Sequence, residues 1–182
     1  MTIIIESSVT TEKQLLERLK KCHGDGRNWP MTKGFRSRKD QGKIYTTYDP
    51  DYLIAYDGET PIGYTGFKDN GSFIVSAGTH VHTDYQKKGI ATKLIKKRNT
   101  IYDSMNKPAL LTLGPKTMSL NLWKSKFAKT GWIDAPQYSN LDEKTIKAIP
   151  EDVYEYHRRK YVDRLMLYPT CITGTTKEQA IL

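Results

Sequence analysis

Cysteine is scarce: Cys22 and Cys171 are the only two in 182 residues, and they stand far apart. The pair suits no metal spacing and no disulfide framework, and it predicts two reduced thiols in a cytoplasmic protein. Long apolar runs are missing too. Nothing approaches the roughly 20 residues of a membrane-spanning helix, so no membrane partner is expected. The opening Ile3-Ile4-Ile5 is too short, and lacks a basic start, to read as a secretory signal. Internal repeats and low-complexity segments are also lacking, which excludes a solenoid.

Acids are fewer than bases. There are 20 against 29, giving a net charge of +9. That excess favours anionic partners: nucleic acid, acidic protein or a phosphorylated cofactor. The bases gather at residues 33–43, 87–98, 124–129 and 157–164. Three of these clusters read as solvated faces, and the second adjoins a motif described below. Hydrophobic residues make up 37% and charged residues 27% of the chain. This predicts one globular domain over residues 1–170, with a loosely ordered tail at 171–182.

The pattern along the chain alternates between strand and helix signals. Residues 2–5 predict a short strand. Thr11 and Gln14 have capping-box spacing ahead of a helix that carries Leu15, Leu16 and Leu19 and stops near Gly24 or Gly26. Residues 27–51 read as a long irregular loop, often a functional one. Strands are predicted at 52–56, 61–67 and from Ser72, with Asn70-Gly71 as a tight hairpin turn, which makes an antiparallel meander. Gly78 falls inside the third strand and marks either a bulge or a close approach. A helix carrying Ile90, Leu94, Ile101, Tyr102 and Met105 on one face follows. Then come a buried strand at 108–114 and a helix at 119–129 with Leu122, Trp123 and Phe127 as its apolar face. A strand from Trp132, a helix over 143–161 broken at Pro150 and a last strand at 162–168 complete the series.

The chemistry concentrates where the third strand ends. Gln86-Lys87-Lys88-Gly89-Ile90-Ala91 lies between a strand end and the start of a basic helix. A glycine-bearing turn that opens a helix presents unpaired backbone N–H groups and the positive end of the helix dipole. Small residues at Gly89 and Ala91 let an anion approach the backbone, and the amides from Lys87 to Ala91 can form a nest. Lys87, Lys88 and Lys93 add charge or serve as ordinary surface lysines.

This stretch, with the meander before it and the amphipathic helix after it, resembles the GNAT acetyltransferase superfamily. That family's motif is Arg or Gln, two residues, Gly, one residue, then Gly or Ala, and a valine stands five residues earlier, here Val81. The resemblance spans about residues 3–168. It implies a mixed α+β GNAT fold: a central, mostly antiparallel sheet with a splayed parallel strand pair and flanking helices. It implies acetyl-CoA as cofactor, with its pyrophosphate on Gln86, Lys87, Lys88, Gly89, Ile90 and Ala91. The backbone of Val81 and Thr83 would bind the pantetheine arm, and Asn121, one residue out of register, would touch the cofactor. Gly78 either aids the splay or is a plain bulge.

Acyl transfer to an amine requires removal of a proton, because a lysine-like amine has a pKa of about 10.4. Family members often use a carboxylate or histidine on the third meander strand and a tyrosine on the later helix. Here residues 72–77 hold neither acid nor histidine, and Phe127 stands at the tyrosine's place, where a phenyl ring has no proton to donate. His80 and His82, on one side of their strand by period-2 alternation, and Tyr138 are the replacement candidates, with Ser119 beside Tyr138 for the sulfur. The two histidines lack a third ligand at a suitable spacing, so no metal is expected. Trp29 and Phe35 fall in the loop that shapes the acceptor pocket in the family, or else form a satellite core.

The leading expectation is therefore an acetyl-CoA-dependent N-acetyltransferase that moves acetyl directly to a primary amine on a small molecule or protein, as a monomer or homodimer. A second reading is a GNAT-fold enzyme acting on nucleic acid or a nucleic-acid-bound protein. It rests on the net charge and on Lys33, Arg36, Arg38 and Lys39 beside Trp29, Phe35 and Tyr45. A third, a non-catalytic acyl-CoA binder, rests on Phe127 and the missing carboxylate.

Overall fold

Thr11 and Gln14 form the reciprocal pair their spacing predicts. The Thr11 N–H donates to Gln14 Oε1 at 3.2 Å, and the Gln14 N–H donates to Thr11 Oγ1 at 3.3 Å. In this computed structural model, which describes residues 2–23, 50–113, 120–160 and 163–169, helix α1 runs Glu12–His23. Its buried Leu15 and Leu19 pack with Tyr52, Ile54 and Tyr64. Each such leucine contributes about 2 kcal/mol of burial.

Eight strands are present among the described residues: β1 Ile3–Ile5, β2 Thr10–Thr11, β3 Asp51–Asp57, β4 Thr60–Asp69, β5 Ile74–Val81, β6 Ala109–Thr112, β7 Ile133–Asp134 and β8 Leu165–Tyr168. They form one sheet in the order β1-β3-β4-β5-β6-β8-β7, with β2 also on β3. Every pairing with a described register is antiparallel except β5 with β6, which is parallel at Ile74↔Ala109 and Val75↔Leu110. The other helices are α2 Ile90–Met105, α3 Leu120–Ala128, α4 Glu143–Ala148 and α5 Glu151–Lys160. The mixed α+β fold, mostly antiparallel with one parallel pair, is the one expected. No helix of the described residues is long and apolar enough to cross a membrane.

The chain divides into two compact units. One comprises Met1–Lys68 with Ala77–Arg98, and the other Asp69–Ser76 with Asn99–Leu182. In the first, Ala55, Ile62, Val81, Ile90 and Leu94 form a second cluster, separate from that of the α1 leucines. In the second, Trp132 lies within 5.2–6.3 Å of the rings of Tyr168, Phe127 and Tyr102. Its indole N–H donates to Asn99 Oδ1 at 3.2 Å, and the Asn99 amide donates to the Thr130 carbonyl at 3.0 Å. Gly131, at φ +95°, ends α3, and the Trp132 N–H returns to the Phe127 carbonyl at 3.1 Å. The doubling back satisfies carbonyls that the helix end would otherwise leave bare.

Four details depart from the sequence-based expectations. The Asn70-Gly71 turn is wider than a two-residue hairpin, because the Asp69 carboxylate accepts the Gly71 N–H and the Asn70 N–H reaches the Phe73 carbonyl. Strand β5 consequently begins at Ile74 rather than Ser72 and runs unbroken through Gly78. Leu122 is 64% exposed. It lies about 140° around the helix from Phe127, so the two cannot share one buried stripe. Arg98, grouped by sequence with the basic cluster at the anion turn, is fully buried instead.

Candidate donor-binding site

After β5 the chain makes a single 3-10 turn, Thr83–Tyr85, before the proposed anion loop. His82 caps that turn: its Nδ1 accepts the Asp84 N–H at 3.2 Å. Gln86 follows in extended conformation, and its side-chain amide donates to the Val81 carbonyl at 3.1 Å. The Gln86 side chain thus folds the loop back on the strand end.

Lys87 and Gly89 both take left-handed backbone conformations, at φ +61° and +75°. Glycine adopts this region freely, whereas a lysine there costs roughly 1–2 kcal/mol. The two flank Lys88, and α2 opens at Ile90 without an acid in its first turn. The N–H groups of Ile90, Ala91 and Thr92 have no intrahelical acceptor, as at any helix start. Alternating backbone handedness beside such donors is the arrangement of an anion nest. Gln86, Lys87, Lys88 and Gly89 are exposed, while Ile90 is buried under the loop and anchors it. The Lys88 ammonium lies 3.3 Å from the Asp84 carbonyl and above the Tyr85 ring.

The two histidines have different surroundings. The His80 ring is half-buried beside the Tyr64 ring at 5.4 Å. It folds back over Gly78, where a Cβ would collide with its Nε2. A side chain at 78 would therefore oblige the His80 ring to move. The His82 ring is 4% exposed and lies 4.7 Å from His23, whose Nε2 is 2.7 Å from the Pro61 carbonyl. Burial, and then the neighbouring His23, hold the His82 pKa below its ordinary value, with Asp84 pulling the other way.

The remaining candidates lie in the second unit. The Tyr138 hydroxyl faces the Ile146 and Ile149 carbonyls at 3.0 and 2.7 Å, so it pins the end of α4. Burial raises its pKa above the usual phenol value. Asn121 is exposed in the first turn of α3. Phe127 is packed between Trp123 and Trp132 and is 3% exposed. Trp29, Phe35 and Ser119 lie outside the described residues, as do the basic residues at 33–43.

Sequence reasoning missed Arg98. Its Nη1 donates to Thr65 Oγ1 at 2.9 Å, to the Ala77 carbonyl at 3.0 Å and to the Gly66 carbonyl at 3.4 Å. A signal was available: residue 98 stands four after Leu94 and four before Tyr102, inside the apolar stripe of α2.

Residues 14–124 match the acetyltransferase (GNAT) family. That is more than half of the chain, and the protein belongs to this family. It is an acetyltransferase of the class that uses acetyl-CoA as acyl donor.

Solved structures share the fold. The ribosomal-protein-S18-alanine N-acetyltransferase of Escherichia coli superposes with a TM-score of 0.57 at 12% identity, covering 96% of this chain and 98% of the other. The PaiA N-acetyltransferase of Thermoplasma acidophilum, in complex with coenzyme A, gives 0.55 at 14% identity, covering 94% and 100%. Tetrahymena GCN5 gives 0.54 at 17% identity, covering 88% and 94%. No curated protein matches the chain by sequence.

Proposed function

We propose that acetyl-CoA rests its pyrophosphate on the turn from Gln86 to Ala91 and that the acetyl group passes directly to a primary amine. The observation that carries the donor half is the left-handed pair Lys87 and Gly89 immediately before α2. Amides from Lys87 to Ala91 bind the anion, Lys87 and Lys93 contribute positive charge, and the backbone of Val81 and Thr83 meets the pantetheine arm. Asn121 remains a proposed cofactor contact carried by the family motif alone.

In the acyl step the neutral amine nitrogen attacks the thioester carbonyl carbon. The C–S bond breaks, the thiolate leaves and takes a proton, and the new ammonium gives up its proton to a base. His80 is our candidate for that base, because its ring is half-exposed at the strand end. His82 is less suited, being buried with Nδ1 engaged, and so is Tyr138, whose hydroxyl lies on two carbonyls. The acceptor is an amine of a small molecule or protein, and the compartment we propose is the cytoplasm.

The test pairs calorimetric titration with CoA and thiol release from acetyl-CoA over a panel of primary amines. We expect CoA binding and amine-dependent thiol release, with H80Q lowering kcat at neutral pH. Absence of CoA binding would remove the donor assignment. Binding without thiol release over a broad panel would favour the acyl-CoA-binder reading.

A further inference from the structure

His82 is a poor base but is well placed to organise the loop. The polypeptide leaves β5 at Val81 and must turn sharply before Gln86. The first contact of that turn is the Asp84 N–H donating to His82 Nδ1. The contact requires Nδ1 to be an unprotonated acceptor, so the ring must be neutral with its proton on Nε2.

We propose that His82 is a positioning residue for the donor site, its neutral Nδ1 holding the turn that aims the anion loop, and that protonation of the ring releases this hold. The inference rests on the reading that CoA binds at residues 86–91.

The groups around the ring define both states. From α1, His23 lies against it with its own Nε2 on the Pro61 carbonyl, and two imidazolium charges at that separation repel. From the turn itself, Asp84 Oδ2 lies 3.8 Å from His82 Nδ1. The Tyr85 ring meets the His82 ring edge-on at 6.0 Å, and the Tyr85 hydroxyl donates to Asp57 of β3 at 3.3 Å. The Lys88 ammonium rests on the Asp84 carbonyl. On protonation Nδ1 becomes a donor. It loses the Asp84 N–H and turns to the Asp84 carboxylate. The turn then keeps its backbone bonds, from the Tyr85 N–H to the His82 carbonyl and from the Gln86 N–H to the Thr83 carbonyl, but loses its side-chain cap. Gln86, hydrogen-bonded to Val81, stands two residues further on and transmits the change to Lys87 and Gly89.

The experiment measures CoA affinity of the full chain from pH 8 to pH 5.5 for wild type, H82N and H82L. Asparagine keeps a capping oxygen that does not titrate, and leucine removes the cap. The ligand's own phosphate monoester titrates near pH ~6, so the reading is the difference in slope between wild type and H82N. We expect wild-type affinity to fall more steeply toward acid than that of H82N. H82L should lose roughly fivefold at pH 8, the usual scale of a lost cap. A wild-type slope equal to that of H82N, with CoA bound by both, would overturn the inference and leave the donor site standing. Wild type that binds no CoA at any pH would overturn both. If the variants do not fold, nitrogen NMR of the wild type serves instead. The Asp84 amide and His82 Nδ1 must then shift with the same midpoint as the affinity, and separate midpoints would defeat the inference.

Discussion

Arg98 Nη1 donates to the Ala77 carbonyl at 3.0 Å, joining the middle of α2 to the backbone of β5. The same nitrogen reaches Thr65 and Gly66 on β4, so one guanidinium holds a helix to two adjacent strands. The side chain is wholly buried. Replacement by methionine keeps much of the volume but strips three acceptors of their donor. The expected loss is on the order of 3 kcal/mol, the scale of a broken buried charged contact. Urea unfolding of R98M measures it, and a loss below about 1 kcal/mol would show that the contact contributes little.

At Gly89 an added Cβ would meet nothing within 4 Å, so space alone does not demand glycine. Its φ of +75° does, at a cost of roughly 1–2 kcal/mol for a side chain there. G89V should therefore still fold, with a cooperative but lowered melting transition. An anion approaching the amides would meet the new side chain. The CoA Kd should rise on the order of tenfold, equivalent to one lost anion–amide contact. Calorimetric titration checks this, and wild-type affinity in G89V would count against the site.

Phe127 stands where relatives often carry a tyrosine, which invites restoration by F127Y. The surroundings argue otherwise. The ring is packed between Trp123 and Trp132 in the interior of its unit. A hydroxyl added there would be buried among rings at a cost of about 1–3 kcal/mol. We expect F127Y to melt lower than wild type with no gain in kcat. A severalfold rise in turnover would place residue 127 at the reacting sulfur.

These cases show where the sequence is legible. The Thr11–Gln14 cap and the Gly131 stop are local, each decided within a few residues, and both could be read directly. The glycine of the turn proposed for the anion is local too, standing where the backbone turns left-handed. Arg98 was misread because its charge outweighed its position in the helical stripe, and its partners lie more than 20 residues away in sequence. His80 and His82 both face the side of α1, against Tyr64 and His23, as period-2 alternation predicts. The cap that His82 makes was not legible, because β5 ends one residue before it and a 3-10 turn follows. The aromatic residues proposed for the acceptor, Trp29 and Phe35, lie outside the described residues.

The buried His82 ring also links stability to pH, separately from any ligand. Its pKa is lowered in the folded state, chiefly by burial and then by His23. Unfolding returns it to the ordinary histidine value near 6.5. Between those values the unfolded chain binds the extra proton and the folded chain does not, so stability rises with pH across that window. The contribution is fully present above about pH 6.5 and is lost as the pH falls toward the lowered folded value. Urea midpoints should therefore be lower at pH 5.5 than at pH 7.5 in wild type. Replacing His82 by asparagine, which does not titrate, should reduce that difference. A wild-type midpoint that rises on acidification, or an undiminished difference in H82N, would mean that other groups govern the acid response.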